Sequence, residues 1–300
     1  MILILTNSMD GTTDELVRSV GADNIFRLNI DLWHFYQLRW NKAGFRLQDP
    51  SGRSLTDNDI RCLYWRKPTF DDPLDPEDIT GSWLRDNISY TLHEIYNYFR
   101  RKNLLFLVDK DAERHLGKIN SLVLAADYFS VPDWELLWNS APSLSDPLVT
   151  KSLVPSFVEA NKFLYTVQIP SKQELSNEYP WFVQAALTAA DYDITVAFVE
   201  DEIFPYRLDR KTIDGLDWRV HINQKELAWE SFEVPLSFAQ SIRSYMRSLM
   251  LNFGRLDFLQ VGSKFYFLEV NPNGQWGWLD MKKDSGLFQC ISAKLLNTLS

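Results

Sequence analysis

The first apolar run, Ile2-Leu3-Ile4-Leu5, contains no polar position and closes on the turn-prone stretch TNSMDG. A short run of this kind reads as a strand buried on both faces. Apolar positions in residues 13–20 then recur at helical spacing, which predicts a β-turn-α opening. Residues 24–28 and 61–65 read as further short strands. Residues 81–99 carry Trp83, Leu84, Ile88, Leu92, Ile95 and Tyr98 on one stripe and read as an amphipathic helix. Residues 1–105 are therefore expected to form an N-terminal α/β lobe.

A second strand-helix unit follows at residues 104–110 and 118–129, where Ile119, Leu122, Val123 and Ala126 share one face and Pro132 bars continuation of the helix. Residues 139–147, NSAPSLSDP, are a surface loop by composition. The stretches PLVTKSLV and FLYTVQIP alternate as two strands of a hairpin, so residues 106–175 read as a small middle lobe. Strands are predicted beyond it at 193–199, 203–206, 218–222, 255–261 and 265–270, with helices at 237–251 and 287–299, giving a last lobe over 176–300. The expected fold is α+β with a mostly antiparallel C-terminal sheet.

Composition narrows the function classes. A chain of 300 residues with 45% hydrophobic and 24% charged positions can bury a sizeable core. Its formal net charge of -9, from 40 acidic against 31 basic residues and without a long basic block, argues against duplex DNA and anionic membrane surfaces as partners. Cys62 and Cys290 are too few for a disulfide framework and fit a reducing compartment. The opening lacks a basic segment and its apolar run is too short to span a bilayer, so the expected location is the cytoplasm. His34, His93, His115 and His221 stand singly, which leaves little support for a zinc site or histidine-based acid catalysis.

The chemistry concentrates in RLDFLQVGSKFYFLEVNPNGQWGWLD. Two apolar strands flank Gly262 and Ser263, and a turn centred on Ser263 places Asp257 directly across from Glu269, with Cβ atoms about 4.5–5.5 Å apart. Facing carboxylates are destabilising unless something positive lies between them. Asn271 leaves the same strand face as Glu269 and adds a neutral oxygen. Asp257, Glu269 and Asn271 are thus a candidate set for Mg²⁺, a hard cation often held by one or two carboxylates with water and phosphate completing its shell. A solvated hairpin end is the bland alternative, weakened because the acids interrupt an otherwise buried apolar hairpin. Trp276 and Trp278 read as packing at the edge of the last lobe rather than as ligand-stacking groups.

This arrangement resembles the metal-binding signature of ATP-grasp ligases, and LEVNPNGQWGWLD is similar to the form found in ATP-grasp ribosomal-peptide maturases, the graspetide or microviridin-type synthetases. MILILTNSMDGTTDELV, LYWRKP, GKINSLVLAADYFSVPDWEL, VTKSL and DGLDWRV resemble further segments of that family, so the likeness spans nearly the whole chain. It implies a three-lobed ATP-grasp fold and a cytoplasmic enzyme using ATP and Mg²⁺. The γ-phosphate passes to an Asp or Glu carboxylate of a precursor peptide, and a Ser, Thr or Lys of its core attacks the acyl phosphate to close an ester or amide ring. A leader segment of the peptide would dock on the middle lobe, and a homodimer is open. By the same resemblance Lys151 contacts the ATP phosphates, residues 182–187 form the hinge beside adenine with Gln184, Ala185 and Leu187, Asp193 belongs to the cofactor site, and Arg219 orients the carboxylate or acyl phosphate. An ion pair for Arg219 and plain solvation for Lys151 are the structural alternatives.

The sequence departs from the family at the D/E-x-R tripeptide, where Asp193 is kept and Thr195 replaces the arginine that contacts the transferring phosphates. Arg207, Arg210, Lys211 and Arg219 are candidates to compensate. TKSLVPSFVEANKF replaces a glycine-rich phosphate loop. Two other classes therefore stay open: a degenerate homologue serving as a binding or scaffold partner, and a ligase joining a small carboxylate to an amine.

Overall fold

The structure, a computed structural model, describes residues 1–70, 78–153, 157–159, 162–163, 165–169, 175–176, 178–221 and 227–300. In chain order the elements are β1 (Ile2–Thr6), α1 (Gly11–Val20), β2 (Ile25–Asn29), β3 (Gln37–Asn41), β4 (Gly44–Gln48), β5 (Ser54–Thr56), β6 (Cys62–Trp65), α2 (Ile79–Arg101), α3 (Ala112–Leu116) and α4 (Lys118–Ala125). There follow β7 (Trp134–Leu137), β8 (Leu148–Lys151), β9 (Phe157–Glu159), β10 (Lys162–Phe163), β11 (Val167–Ile169), β12 (Trp181–Ala185), β13 (Tyr192–Val199) and β14 (Glu202–Asp209). The chain ends with β15 (Glu230–Ser231), α5 (Leu236–Ser248), β16 (Phe253–Val261), β17 (Lys264–Asn271) and α6 (Leu287–Asn297). It divides into two compact units, residues 1–112 with 251–254 and 272–300, and residues 113–250 with 255–271.

In the first unit β1 is the centre of a parallel sheet ordered β2-β1-β6, and its apolar residues Ile2 to Leu5 are fully buried. A central parallel strand covered on both faces has no solvent side, which is why its sequence shows no alternation. Asp10 caps α1, its carboxylate accepting from Thr12 N at 3.1 Å. The amphipathic stripe expected at 81–99 is realised as α2, where Leu92, Ile95, Tyr96 and Phe99 enter the core with Phe26, Phe45, Leu63 and Trp65. An antiparallel sheet ordered β3-β4-β5 adds to the expected elements; every residue of β3 is exposed, and Phe45, Leu47 and Leu55 on its neighbours are buried.

Two expected strands take other forms. Residues 104–110 contribute only a parallel bridge of Leu105 to Leu63, closed by Leu63 N donating to Leu104 O and Phe106 N to Leu63 O; Leu107 then turns to a φ of 53° and ends the extended path. Residues 218–221 wind into a short 3₁₀ helix because the Asp217 carboxylate accepts from the Arg219 backbone N–H at 3.1 Å, a local bond that competes with a sheet ladder. Ile222 lies outside the described residues.

The second unit holds two antiparallel sheets, β11-β8-β12-β7 and β15-β14-β13-β16-β17. β8 and β11 pair as the alternation predicts, although residues 154–156, 160–161 and 164 between them lie outside the described residues. Phe129, Phe238, Tyr245, Phe258 and Phe267 form an aromatic core between α5 and the larger sheet; Phe129 stacks on Phe267 at 5.7 Å and meets Phe258 edge-on at 5.1 Å. Tyr245 satisfies its buried hydroxyl on the Ser121 carbonyl at 2.9 Å. Phe267 N donates to Ser130 O at 2.8 Å, so the segment following α4 is held along β17.

Among the described residues no helix is long and apolar enough to cross a membrane. Cys62 is 2% exposed and burial pushes its thiol up to about 12, against a weaker opposing bond from Thr298. A thiol reagent is therefore expected to leave Cys62 unmodified until denaturant is added. Rapid labelling of both cysteines in the native protein would contradict this packing.

Candidate functional site

β16 and β17 form the hairpin on which the site is built. Val261 pairs with Lys264 around a two-residue turn at Gly262 and Ser263, and Phe258 pairs with Phe267. The register then shifts by one, leaving Leu268 as the extra residue of a bulge, so that Asp257 faces Glu269 and Arg255 faces Asn271. The facing pair expected from a turn centred on Ser263 is thus produced by a tighter turn followed by a bulge. Gly262 takes φ 56° at that turn, a left-handed conformation glycine adopts without steric cost.

Asp257, Glu269 and Asn271 come together on one face. Asn271 Nδ2 donates to Asp257 Oδ2 at 3.2 Å and to Glu269 Oε1 at 3.2 Å. Thr195 Oγ1 donates to Asp257 Oδ1 at 2.7 Å, and Arg255 Nη2 reaches Asp257 Oδ2 at 3.1 Å. Lys118 Nζ lies 3.3 Å from Glu269 Oε2 and also donates to the Ser152 carbonyl at 3.0 Å. Burial pushes the Asp257 carboxyl up, with Arg255 opposing and Glu269 adding to the rise. Burial also works against charge on Glu269, yet Lys118 and Lys151 outweigh it and hold that carboxyl well below its usual range. The two lysines thus favour the ionised form of Glu269, while burial works against charge on Asp257.

Lys151 closes β8, and its Nζ donates to Gln184 Oε1 on the paired strand β12 at 3.0 Å. Burial lowers the Lys151 ammonium, Glu269 raises it, and Lys118 lowers it again. Gln184 is 1% exposed, and among the described residues its Nε2 has no hydrogen-bond partner. An orphaned buried amide of this kind costs free energy unless a ligand or water meets it. In the segment expected to be the hinge, Ala185 N donates to Asp133 O and Ala186 N to Pro147 O, each at 2.8 Å, while Leu187 O accepts from Ala190 N at 3.2 Å.

Asp193 and Arg219 are both held in ion pairs. Asp193 is 7% exposed and accepts from Arg210 Nη1 at 2.7 Å; burial pushes its carboxyl up to about 6, Arg210 opposing and Asp217 and Asp257 adding to the rise. Arg219 donates through Nε and Nη2 to the two oxygens of Asp217, at 2.8 Å and 2.6 Å, and its guanidinium stays half exposed near the Tyr165 ring. Of the candidates to replace the missing arginine, Arg207 pairs with Glu230 at 2.7 Å and Arg210 with Asp193. The guanidinium that reaches Asp257 belongs to Arg255, two residues away on the same strand.

Asp193 carries a pH prediction. Its folded value near 6 lies above the 3.8 of an unperturbed carboxyl, so the native state binds more protons between those values. The group's contribution to stability is present at low pH and is lost as pH rises through that window. Asp193→Asn is expected to flatten the decline in melting temperature between about pH 4 and 6. An unchanged pH profile would contradict it.

Lys118, Arg255 and Asp217 were missing from the sequence reading. Arg255 was findable, since it shares a strand face with Asp257. Lys118 was not, because its link to Glu269 depends on α4 packing along β17.

Whether these residues suit Mg²⁺ and a nucleotide is decided by their donor chemistry. Among the described residues no group of three His, Cys, Asp or Glu side chains assembles, so a cation here would take two carboxylates and an amide. Asp257 Oδ2 and Glu269 Oε1 converge on one amide nitrogen, and a half-turn of the Asn271 carboxamide presents its oxygen to the same point. That set suits a hard divalent cation with open positions. Lys118, Lys151 and the orphaned Gln184 amide suit an anionic ligand with a hydrogen-bonding face.

No family model and no curated protein matches the chain. Solved structures do. The macrocyclase MdnC from Microcystis aeruginosa MRC, bound with precursor peptide MdnA, aligns at TM-score 0.76 and 19% identity over 99% of both chains. A RiPP-associated ATP-grasp ligase from Chryseobacterium gregarium, in complex with ADP and a leader and core peptide, aligns at TM-score 0.76 and 17% identity, covering 99% of this chain and 96% of that one. The ATP-grasp ligase PsnB complexed with minimal precursor aligns at TM-score 0.78 and 13% identity, covering 100% of this chain and 98% of that one. The chain has the ATP-grasp fold. Asp257, Glu269 and Asn271 sit on the β16–β17 hairpin, and Lys151 and Gln184 sit on adjoining strands of the smaller sheet of the second unit.

Proposed function

We propose that the chain is an ATP-dependent carboxylate ligase that closes ester or amide links within a ribosomal precursor peptide. The observation that carries this reading is the convergence of Asp257, Glu269 and Asn271 beneath Lys118, with Lys151 in the same unit beside a Gln184 amide whose nitrogen has no partner among the described residues. Whole-length likeness to MdnC, PsnB and the Chryseobacterium ligase, whose structures hold precursor, leader or core peptides, supports a peptide partner. On this reading residues 1–105, 106–175 and 176–300 are the three lobes.

Mg²⁺ and ATP, when bound, supply the phosphoryl group that turns a carboxylate into an acyl phosphate open to attack by a Ser, Thr or Lys side chain. Glu269 stays ionised to hold the metal because Lys118 and Lys151 balance its charge. Arg255 and Thr195 oppose the burial that pushes the Asp257 carboxyl up, and Asp257 provides the second oxygen. Lys151, oriented by Gln184, presents its ammonium to phosphate. Gln184, Ala185 and Leu187 line the adenine side, and Arg219, fixed by Asp217, orients the substrate carboxylate. Thr195 donates to Asp257 Oδ1 and Arg255 pairs with Oδ2 of the same carboxylate.

The test is mass spectrometry after incubation with ATP, Mg²⁺ and a short peptide encoded beside the gene that carries Ser, Thr or Lys with Asp or Glu. Loss of one water mass per link supports the proposal. ATP turnover without any change in peptide mass, while a small amine and carboxylate are joined, would replace it with small-molecule ligation.

A further inference from the structure

The first unit contains a charged group that the reading above does not use. Arg66 follows β6 at the carboxyl end of the parallel sheet, the end at which open α/β sheets take their ligands. It is 1% exposed, yet among the described residues Nε and Nη1 have no hydrogen-bond partner. Among the described residues the carboxylate of Asp10 stands 3.6 Å from Nε. Asp10 is already committed: Oδ2 accepts from Thr6 Oγ1 at 2.8 Å and Thr13 Oγ1 at 2.7 Å, and Oδ1 caps α1 through Thr12 N at 3.1 Å. One face of the guanidinium lies over the Trp276 ring, 5.9 Å from its centre. Among the described residues Nη2 is the guanidinium nitrogen that makes a hydrogen bond, donating to Gln275 Oε1.

Gln275 is exposed, whereas Arg66 beneath it is not. A neutral amide oxygen therefore occupies the outer fork of a buried guanidinium whose second terminal nitrogen is unmatched. That fork is built for two parallel N–H to oxygen bonds from a carboxylate, and a single amide oxygen can supply only one. Leaving a guanidinium so poorly compensated is costly in a packed interior.

We infer that Arg66 is the receptor for a carboxylate ligand at the carboxyl end of the first-unit sheet, with the Gln275 side chain standing in the carboxylate's place until it swings out. The carboxylate can come from an acidic side chain of a peptide or from a free small acid. The inference concerns residues of the first unit only and is independent of the ligation reading.

The experiment titrates capped glutamate, N-acetyl-glutamate methylamide, into the wild type, Gln275→Ala and Gln275→Glu, without nucleotide, by calorimetry or NMR. Capped glutamine is the neutral control. Removing the competing amide is expected to tighten binding about tenfold in Gln275→Ala, the worth of one hydrogen bond to a charged group. Gln275→Glu fills the fork with its own carboxylate and is expected to abolish binding while raising the melting temperature at pH 7. Tighter binding of an acidic peptide than of capped glutamate assigns the source to a peptide, and equal binding assigns it to a small acid; both support the receptor. Undiminished binding to Gln275→Glu, equal binding of capped glutamine, or no binding to folded Gln275→Ala overturns it. Since no arm uses ATP or turnover, failure here leaves the ligase reading untouched.

Discussion

Replacing Trp276 with alanine is expected to lower stability by about 3–5 kcal/mol, the cost of emptying a fully buried aromatic site. Trp276 is 0% exposed. Its ring meets Phe288 at 4.7 Å, and Nε1 donates to the buried Tyr64 hydroxyl at 3.1 Å. Truncation leaves a cavity, removes the Tyr64 partner and strips the ring from beneath Arg66. Trp276→Phe keeps most of the packing and loses the N–H, so it should cost clearly less. The next residue carries the same constraint: a Cβ on Gly277 would fall 2.2 Å from Thr12 Oγ1 and 2.9 Å from its Cβ, so Gly277→Ala should also destabilise. Denaturant unfolding of the variants measures this, and a loss for Trp276→Ala below about 1 kcal/mol would contradict the packing.

Glu269→Gln is expected to reduce ligation by about a hundredfold to a thousandfold, the usual penalty for removing one group that stabilises transferring charge. The substitution keeps shape and hydrogen bonding but deletes the charge that Lys118 and Lys151 are arranged to balance. Those lysines would then face each other's charge, and Asp257 would lose the like-charge neighbour that helps push it up. The signature to look for is a fall in the Asp257 pKa together with lost turnover, measured by carboxyl NMR and by ADP release. Turnover within about threefold of wild type would show that Glu269 does not hold the metal.

Most of the site was legible because local patterns forced it. Alternation in residues 255–271 gave both strands, and facing acids demanded a positive partner. The correct pairing of Asp257 with Glu269 nevertheless depended on two errors that cancel, since the turn is half a residue away from Ser263 and the bulge at Leu268 restores the register. Bulges leave no reliable mark in the spacing of apolar residues. Lys118 could not be found for a different reason. A lysine opening a helix looks solvated in sequence, and only the seating of α4 on β17 brings it to Glu269. Trp276 shows the same limit: buried packing was the right reading, but its partners Tyr64 and Phe288 lie in the first unit rather than at the edge of the last lobe. The β3-β4-β5 sheet was overlooked although Leu38 and Trp40, then Phe45 and Leu47, alternate with polar residues at strand spacing.

The central claim is that the Asp257–Glu269–Asn271 cluster binds a metal-nucleotide complex, and the most direct measurement is calorimetric titration with a non-hydrolysable ATP analogue, with and without Mg²⁺, on the wild type and Glu269→Ala. Micromolar binding that requires Mg²⁺ and disappears in the variant is the predicted result. Failure of the folded wild type to bind the analogue, or equal binding by Glu269→Ala, would contradict the account.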